Sequence, residues 1–134
     1  MELRRQFELP EEDRAFLDGY GCQCETVIDG SHWLLLHDFP TICDGYNHET
    51  VTAAIRIETG YPKTALDMVY FHPAIARKDG QPIGATQATQ AIEGKTFQRW
   101  SRHYTKENPW VIGEHNIETH IWAIEGWLMR EFQK

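Results

Sequence analysis

The sequence predicts an α+β domain in which four antiparallel strands lie between two helices. Three observations support this prediction. Apolar residues recur with helical spacing from Ile117 to Phe132, short β-branched and aromatic runs are separated by turn signals, and two of those runs end at proline. Proline ends strand pairing because it has no backbone N–H. The chain of 134 residues is long enough for one domain and too short for two ordinary ones.

The N-terminal part is predicted to hold the first helix. We interpret residues 1–8 as a polar tail and residues 9–134 as a single domain. Leu9-Pro10 followed by three acidic residues indicates a helix start, since proline suits the first turn and acidic side chains complement the helix dipole. Glycine disfavours continuation of the helix, so we expect it to end at Gly19.

The middle of the chain is predicted to form the sheet. The four predicted strands cover residues 25–28, 31–38, 50–57 and 66–71. Asp29-Gly30 is a strong signal for a two-residue hairpin turn between the first two strands. The uninterrupted run Leu34-Leu35-Leu36 predicts a strand covered on both faces. Residues 84–94 are rich in Ala, Thr and Gln and show no clear period, so we expect them to be irregular or flap-like.

Charge and cysteine content limit the classes of partner. Twenty acidic and thirteen basic residues give a net charge of -7, which repels phosphate backbones and anionic lipid. Nucleic acid and membrane are therefore not expected partners. No apolar run approaches the roughly 20 residues of a spanning helix, and we see no secretory signal. The chain has three cysteines, Cys22, Cys24 and Cys43, and their spacing is not that of a zinc-binding or thioredoxin-type motif. We therefore expect free thiols in a reducing cytoplasm.

The histidine spacing does not favour a metal site. His32 and His37 are five residues apart, as are His115 and His120, whereas two ligands on one helix require a spacing of four. The sequence therefore predicts no metal ion and no cofactor.

Two predicted strands are each followed by a proline turn. Gly60-Tyr61-Pro62 follows the third strand, and His72-Pro73 follows the fourth. Further residues of the same pattern are Leu9-Pro10, Asp13, Phe16-Leu17, Tyr46-Asn47, Asp67-Met68, Tyr70-Phe71, Trp100-Ser101-Arg102-His103 and Asn108-Pro109-Trp110. With these residues, positions 9 to 132 resemble the ubiquitin-conjugating enzyme superfamily, and more closely its bacterial prokaryotic family E.

This resemblance implies both a fold and a function. The fold is an N-terminal helix, a four-stranded antiparallel meander, an irregular active loop and a C-terminal helix. The function is that of a transferase in a bacterial ubiquitin-like modification pathway. Its implied partners are an adenylating activating enzyme, a ubiquitin-like protein and a target protein that supplies an amine.

The cysteine that carries the acyl group in the superfamily is missing, because no cysteine follows His72-Pro73. Counting forward from His72 reaches Ile83-Gly84, and the nearest hydroxyl is that of Thr86. Counting backward from Trp110 reaches Arg102, beside Ser101. The two counts differ by nearly twenty residues, which implies an insertion around residues 81–97. We prefer the backward count, because Trp110 and the following helix anchor it.

Ser101 is therefore the leading candidate nucleophile, which would form an oxyester in place of a thioester. A neutral hydroxyl needs an adjacent base, and His103 lies two residues away, on the same side of an extended segment. Arg102 or Arg99 would stabilise the oxyanion or bind the tail of the partner. In the alternative interpretation this segment is a structural loop, with Trp100 packed into the core.

One further difference concerns the amide that follows the superfamily's His-Pro turn. Its asparagine is replaced here by Ala74, and Asn108 is the candidate substitute.

The sequence alone leaves three functions open: an acyl carrier, a catalytically inactive adaptor that binds the same partners, and an unrelated α+β binding protein. The ensemble of matching residues favours the first two.

Overall fold

Two helices and six strands make up the protein, as seen in a computed structural model that describes residues 3–133. The helices are α1 (Glu11–Tyr20) and α2 (Ile117–Arg130), and α2 continues into a short 3-10 turn over Glu131–Gln133. The strands are β1 (Gln23–Asp29), β2 (Ser31–Pro40), β3 (Thr50–Ile57), β4 (Val69–His72), β5 (Thr89–Ile92) and β6 (Lys95–Trp100). They form one antiparallel sheet in the order β1-β2-β3-β4-β6-β5.

The α+β class and the two helices are confirmed, whereas the prediction of four strands is wrong. Residues 84–94, expected to be irregular, contain β5 and lead into a hairpin whose second strand, β6, pairs with β4. Glu93-Gly94 forms its two-residue turn with φ of 53° and 79°, the backbone that such turns need. Helix α1 ends at Tyr20 and not at Gly19, because Gly21 provides the left-handed cap at φ 97°.

The sheet is buried on both faces. Leu34 and Leu36 point into the main core, where both helices pack against the same face of the sheet. Trp33 and Leu35 point the other way, into a second, smaller cluster with Tyr70. The predicted burial of the three-leucine run on both faces is therefore confirmed.

The second cluster is enclosed because the β5–β6 hairpin reaches across to the far end of the sheet. The backbone N–H of Glu93 donates to Asp29 Oδ2 at 2.7 Å, and Arg4 forms an ion pair with Glu93. Arg56 donates to the side-chain amide of Gln90 at 3.4 Å. These contacts join the β5–β6 turn to the β1–β2 turn, so the sheet curls over its smaller core.

The N-terminal segment lies along the outer edge of β1. The backbone N–H of Thr26 donates to Arg4 O, and that of Gln6 donates to Thr26 O. Glu25 is buried, and the Arg4 hydrogen bond is the main cause that lowers its pKa to about 2. Of the segment interpreted as a polar tail, residues 3–8 are thus described in contact with the sheet; Met1 and Glu2, like Lys134, lie outside the described residues.

Tyr61 connects the two helices beneath the sheet. Its hydroxyl donates to Asp13 Oδ2 of α1 and accepts the first backbone N–H of α2, from Ile117, both at 2.8 Å. Helix α2 also begins with a reciprocal cap between Asn116 and Thr119. The Tyr-Pro turn therefore positions both helices.

Candidate active site

The forward and backward counts placed the nucleophile near Ile83-Gly84 and near Ser101-Arg102. These two segments lie side by side in the structure. Ser101 follows directly after β6, and its backbone N–H donates to Ala85 O at 3.0 Å. Arg102 Nη1 donates to Gly84 O at 3.1 Å. The loop that follows His72-Pro73 therefore returns to the segment ahead of Trp110, so the insertion separates the two counts along the chain but not in space.

Arg102 is held by several structural contacts. Its Nη2 pairs with the buried carboxylate of Glu131 at 3.0 Å, and its guanidinium lies 4.9 Å from the ring centre of Trp100. Trp100 is fully buried in the main core. These contacts tie the segment after β6 to the 3-10 turn that follows α2.

Ser101 is half-buried and accepts a hydrogen bond from Arg99. Arg99 Nε donates to Ser101 Oγ at 3.2 Å, which leaves the hydroxyl proton available to a base. Ser101 and His103, both among the described residues, form no hydrogen bond with each other in this structure. The two side chains predicted to act together are thus two residues apart but not hydrogen-bonded to each other.

His103 pairs with a carboxylate that was not among the predicted site residues. Its Nδ1 lies 2.9 and 3.0 Å from the two oxygens of Asp67. Because a carboxylate only accepts, Nδ1 carries the proton, and the other ring nitrogen of the neutral ring is left as an acceptor. This is the orientation that a general base of the serine hydrolase type requires. Asp67 is 36 residues from His103 in the sequence, so no local spacing pointed to it.

A second histidine, His120, is buried and contacts Met68, the residue that follows Asp67. His120 Nε2 is 2.9 Å from Met68 O, and Tyr104 OH is 2.6 Å from His120 Nδ1. The carbonyl only accepts, so Nε2 carries the proton and Nδ1 accepts from Tyr104. Burial lowers the pKa of His120 to about 4, so this ring is neutral at pH 7.

The backbone bend at residues 67–68 lies between the two histidines and is held by hydrogen bonds to two other segments. Met68 has φ 55°, an uncommon conformation for a residue other than glycine. Its N–H donates to Arg102 O at 3.1 Å, while its carbonyl accepts from His120. Residues 67–68 therefore connect the segment after β6 to α2.

The lower-ranked candidates lie at the margins of this site. Thr86 donates its hydroxyl to Ile83 O at 2.8 Å, within the loop between β4 and β5. Asn108 is exposed and forms a turn with Thr105 through their backbone groups. Ala74 is exposed just after the His-Pro turn. Thr86 is thus held inside its own loop, and the Asn108 backbone is fixed by the Thr105 turn.

None of the three thiols forms a hydrogen bond with Ser101, Arg102 or His103 among the described residues. Cys22 and Cys24 lie at the start of β1, and Cys43 lies in the loop between β2 and β3. Burial raises the pKa of each thiol, which reduces the thiolate fraction that a nucleophile needs. The geometry therefore does not favour a thioester on any of them.

No three metal-ligating side chains converge within residues 3–133. Neither described helix is long and apolar enough to cross a membrane.

The family assignment rests on a sequence comparison. The profile of the family described as prokaryotic E2 family E matches residues 9–131, and the chain therefore belongs to this family of ubiquitin-conjugating-like proteins. Comparisons with curated proteins and with solved structures returned no match.

Proposed function

We propose that this protein is a conjugating-type acyl carrier that holds the C-terminus of a ubiquitin-like protein as an oxyester on Ser101. The observation that carries the proposal is the hydrogen-bonded pair of Asp67 and His103. Within residues 3–133, this pair leaves the second ring nitrogen of the exposed His103 without a hydrogen bond, two residues from the Ser101 hydroxyl. The proposal requires the exposed His103 side chain to move toward Ser101 when the partner binds, because the two groups are not hydrogen-bonded in this structure. Catalytic contacts often tighten only when the substrate is bound.

In the first transfer, the activating enzyme presents the acyl group as a thioester. Ser101 Oγ attacks the carbonyl carbon and its proton passes to His103; the C–O bond forms, the C–S bond breaks and the thiolate leaves. Asp67 stabilises the imidazolium that results. Arg99, which donates to Ser101 Oγ in this structure, would stabilise the negative charge that develops on the carbonyl oxygen.

In the second transfer, a target amine attacks the oxyester. The C–N bond forms, the C–O bond breaks, and the imidazolium returns a proton to Ser101 Oγ while the amine loses one to solvent. Oxyesters react with amines less readily than thioesters. We therefore expect the amine of the target, or the target surface around it, to contribute to this step.

The proposal is tested by intact-mass measurement. The protein is incubated with ATP and with the activating enzyme and ubiquitin-like protein that the family implies as its partners. We expect a mass increase of one acyl group that survives thiol reductant, is removed by alkali and is absent from Ser101→Ala. Ser31→Ala is a matched control that removes a hydroxyl from the β1–β2 turn. An adduct that persists in Ser101→Ala would contradict the proposal.

The second candidate is a catalytically inactive adaptor that binds the activating enzyme or the ubiquitin-like protein. The bond from Arg99 to Ser101, in place of one from His103, favours it. This candidate predicts binding to either partner without any covalent adduct during active turnover of ATP. Titration calorimetry beside the mass measurement distinguishes the two.

A further inference from the structure

The two edges of the sheet differ in what covers them. At β1, the N-terminal segment occupies the outer backbone groups: Thr26 bonds with Arg4 and Gln6, and the N–H of Ile28 donates to Gln6 Oε1 at 2.7 Å. At β5, no further strand follows among residues 3–133. An uncovered strand edge is a template for pairing with another extended chain.

The register of the hairpin shows which backbone groups of β5 face outward. Arg99 N–H donates to Ala88 O at 2.9 Å, so this opposed pair is hydrogen-bonded. Bonded and non-bonded pairs alternate in an antiparallel ladder. Gln90 and Ile92 therefore bond with β6, whereas the N–H groups of Thr89 and Ala91 point away from it.

These outward groups are accessible. Thr89 and Ala91 are exposed, and their small side chains allow another backbone to approach. The Ala91 carbonyl accepts 3.1 Å from the side-chain amide of Gln90, a contact that a peptide N–H can replace. Within residues 3–133, neither the N–H of Thr89 nor that of Ala91 donates a hydrogen bond.

We infer that β5 is the docking strand for the extended C-terminal tail of the ubiquitin-like protein, which adds to the sheet as a seventh, antiparallel strand. This inference rests on the proposed function, because it supplies the tail of the same acyl group. The edge is continuous with the site: Ala88 lies opposite Arg99, two residues before Ser101. A strand antiparallel to β5 runs from the Ile92 end toward the Ala88 end, so its C-terminus points to the end of the sheet at which Ser101 lies, with residues 85–88 between the two.

The test is amide hydrogen exchange by NMR, with a synthetic peptide of the ten C-terminal residues of the ubiquitin-like protein as the probe. We expect exchange at Thr89 and Ala91 to slow about tenfold on peptide binding, while Gln90 and Ile92, already bonded to β6, change little. Uniform change along β5, or no change, would overturn the inference. Protection of the same amides without peptide, rising with protein concentration, would show a second copy on this edge and would also overturn it.

Two variants at one position sharpen the result. Ala91→Pro removes the outward N–H without removing a bond to β6, and proline is tolerated at such an edge position. Ala91→Ser keeps the N–H. We expect the proline variant to weaken peptide binding about tenfold and the serine variant to bind as the parent does. Equal binding by both variants would contradict the inference, and the exchange pattern of the parent protein tests it even if the proline variant does not fold.

The outcomes separate this inference from the proposed function. Alternating protection without any Ser101 adduct would support tail docking and reject acyl transfer. A Ser101 adduct that forms equally well in Ala91→Pro, with no protection of β5, would reject tail docking alone.

Discussion

Two histidines flank the bend at residues 67–68, and they differ in nearly every physical respect. His120 is fully buried, and both ring nitrogens are occupied by Tyr104 and the Met68 carbonyl. His103 has a side chain that is 58% exposed and contacts Asp67 through one nitrogen only. The buried ring is fixed in one tautomer and kept neutral, whereas the exposed ring has a nitrogen free to accept a proton.

This difference indicates a division of roles across a single bend of the chain. Removal of His120 leaves the half-buried Tyr104 hydroxyl and Met68 carbonyl without this partner, which is costly. Removal of His103 exposes only an already solvated carboxylate. We therefore expect stability to depend on the buried pair and acyl transfer on the exposed one.

The largest expected effect is on acyl transfer. His103→Ala should slow formation of the Ser101 adduct by about 10²- to 10⁴-fold, the usual contribution of a general base. Single-turnover mass measurement gives this rate. The stability of the variant should match that of the parent, and His32→Ala, which removes another exposed histidine, serves as the control. An unchanged rate would remove His103 from the mechanism.

The next effect is on stability. His120→Ala should lower the free energy of unfolding by about 3 kcal/mol, because a cavity forms in the core and two half-buried polar groups lose their partner. Urea denaturation measures it. If His103→Ala were equally destabilising, the contrast between the two histidines would fail.

The pH dependence of stability sharpens the same contrast. The pKa of His120 lies at about 4 in the folded protein and near 6.5 in the unfolded chain, so the unfolded state binds the proton first as pH falls. Its contribution is fully present above pH 6.5 and is lost toward pH 4, by about 3 kcal/mol. Urea denaturation at several pH values measures the loss. His120→Gln should flatten this part of the profile, and a parallel profile would show that another group causes the slope.

The smallest expected effect is that of Asp67→Asn on stability. The pair with His103 is largely solvated, so the free energy of unfolding should change by less than about 1 kcal/mol. Urea denaturation again provides the measurement. The amide no longer fixes the protonated Nδ1, so adduct formation should slow although the fold is retained. A large loss of stability would show that Asp67 supports the bend itself.

The sequence predicted the fold where the signals are local and missed it where they depend on distant partners. The spacing of Ile117, Ile121 and Ile124 was enough to place α2, and these residues are buried. Strand β5 has an exposed row of side chains and is only four residues long, so it leaves no periodic signal. Its pairing depends on the Glu93-Gly94 turn and on contacts across the sheet.

The candidate site shows the same limit. Ser101, Arg102 and His103 became candidates because they precede Trp110, an anchor near in the sequence. Asp67 was missed because its contact with His103 joins segments that the chain brings together only on folding. The contact of Arg102 with Glu131 also spans distant residues, and it indicates a positioning role for that side chain.

The most direct test of the central claim is to locate the acyl group. After reaction with ATP, the activating enzyme and the ubiquitin-like protein, the adduct is digested under mildly acidic conditions and sequenced by tandem mass spectrometry. The account predicts that the C-terminal remnant of the ubiquitin-like protein is attached to Ser101. A remnant on Cys22, Cys24 or Cys43, or on a lysine, would contradict it.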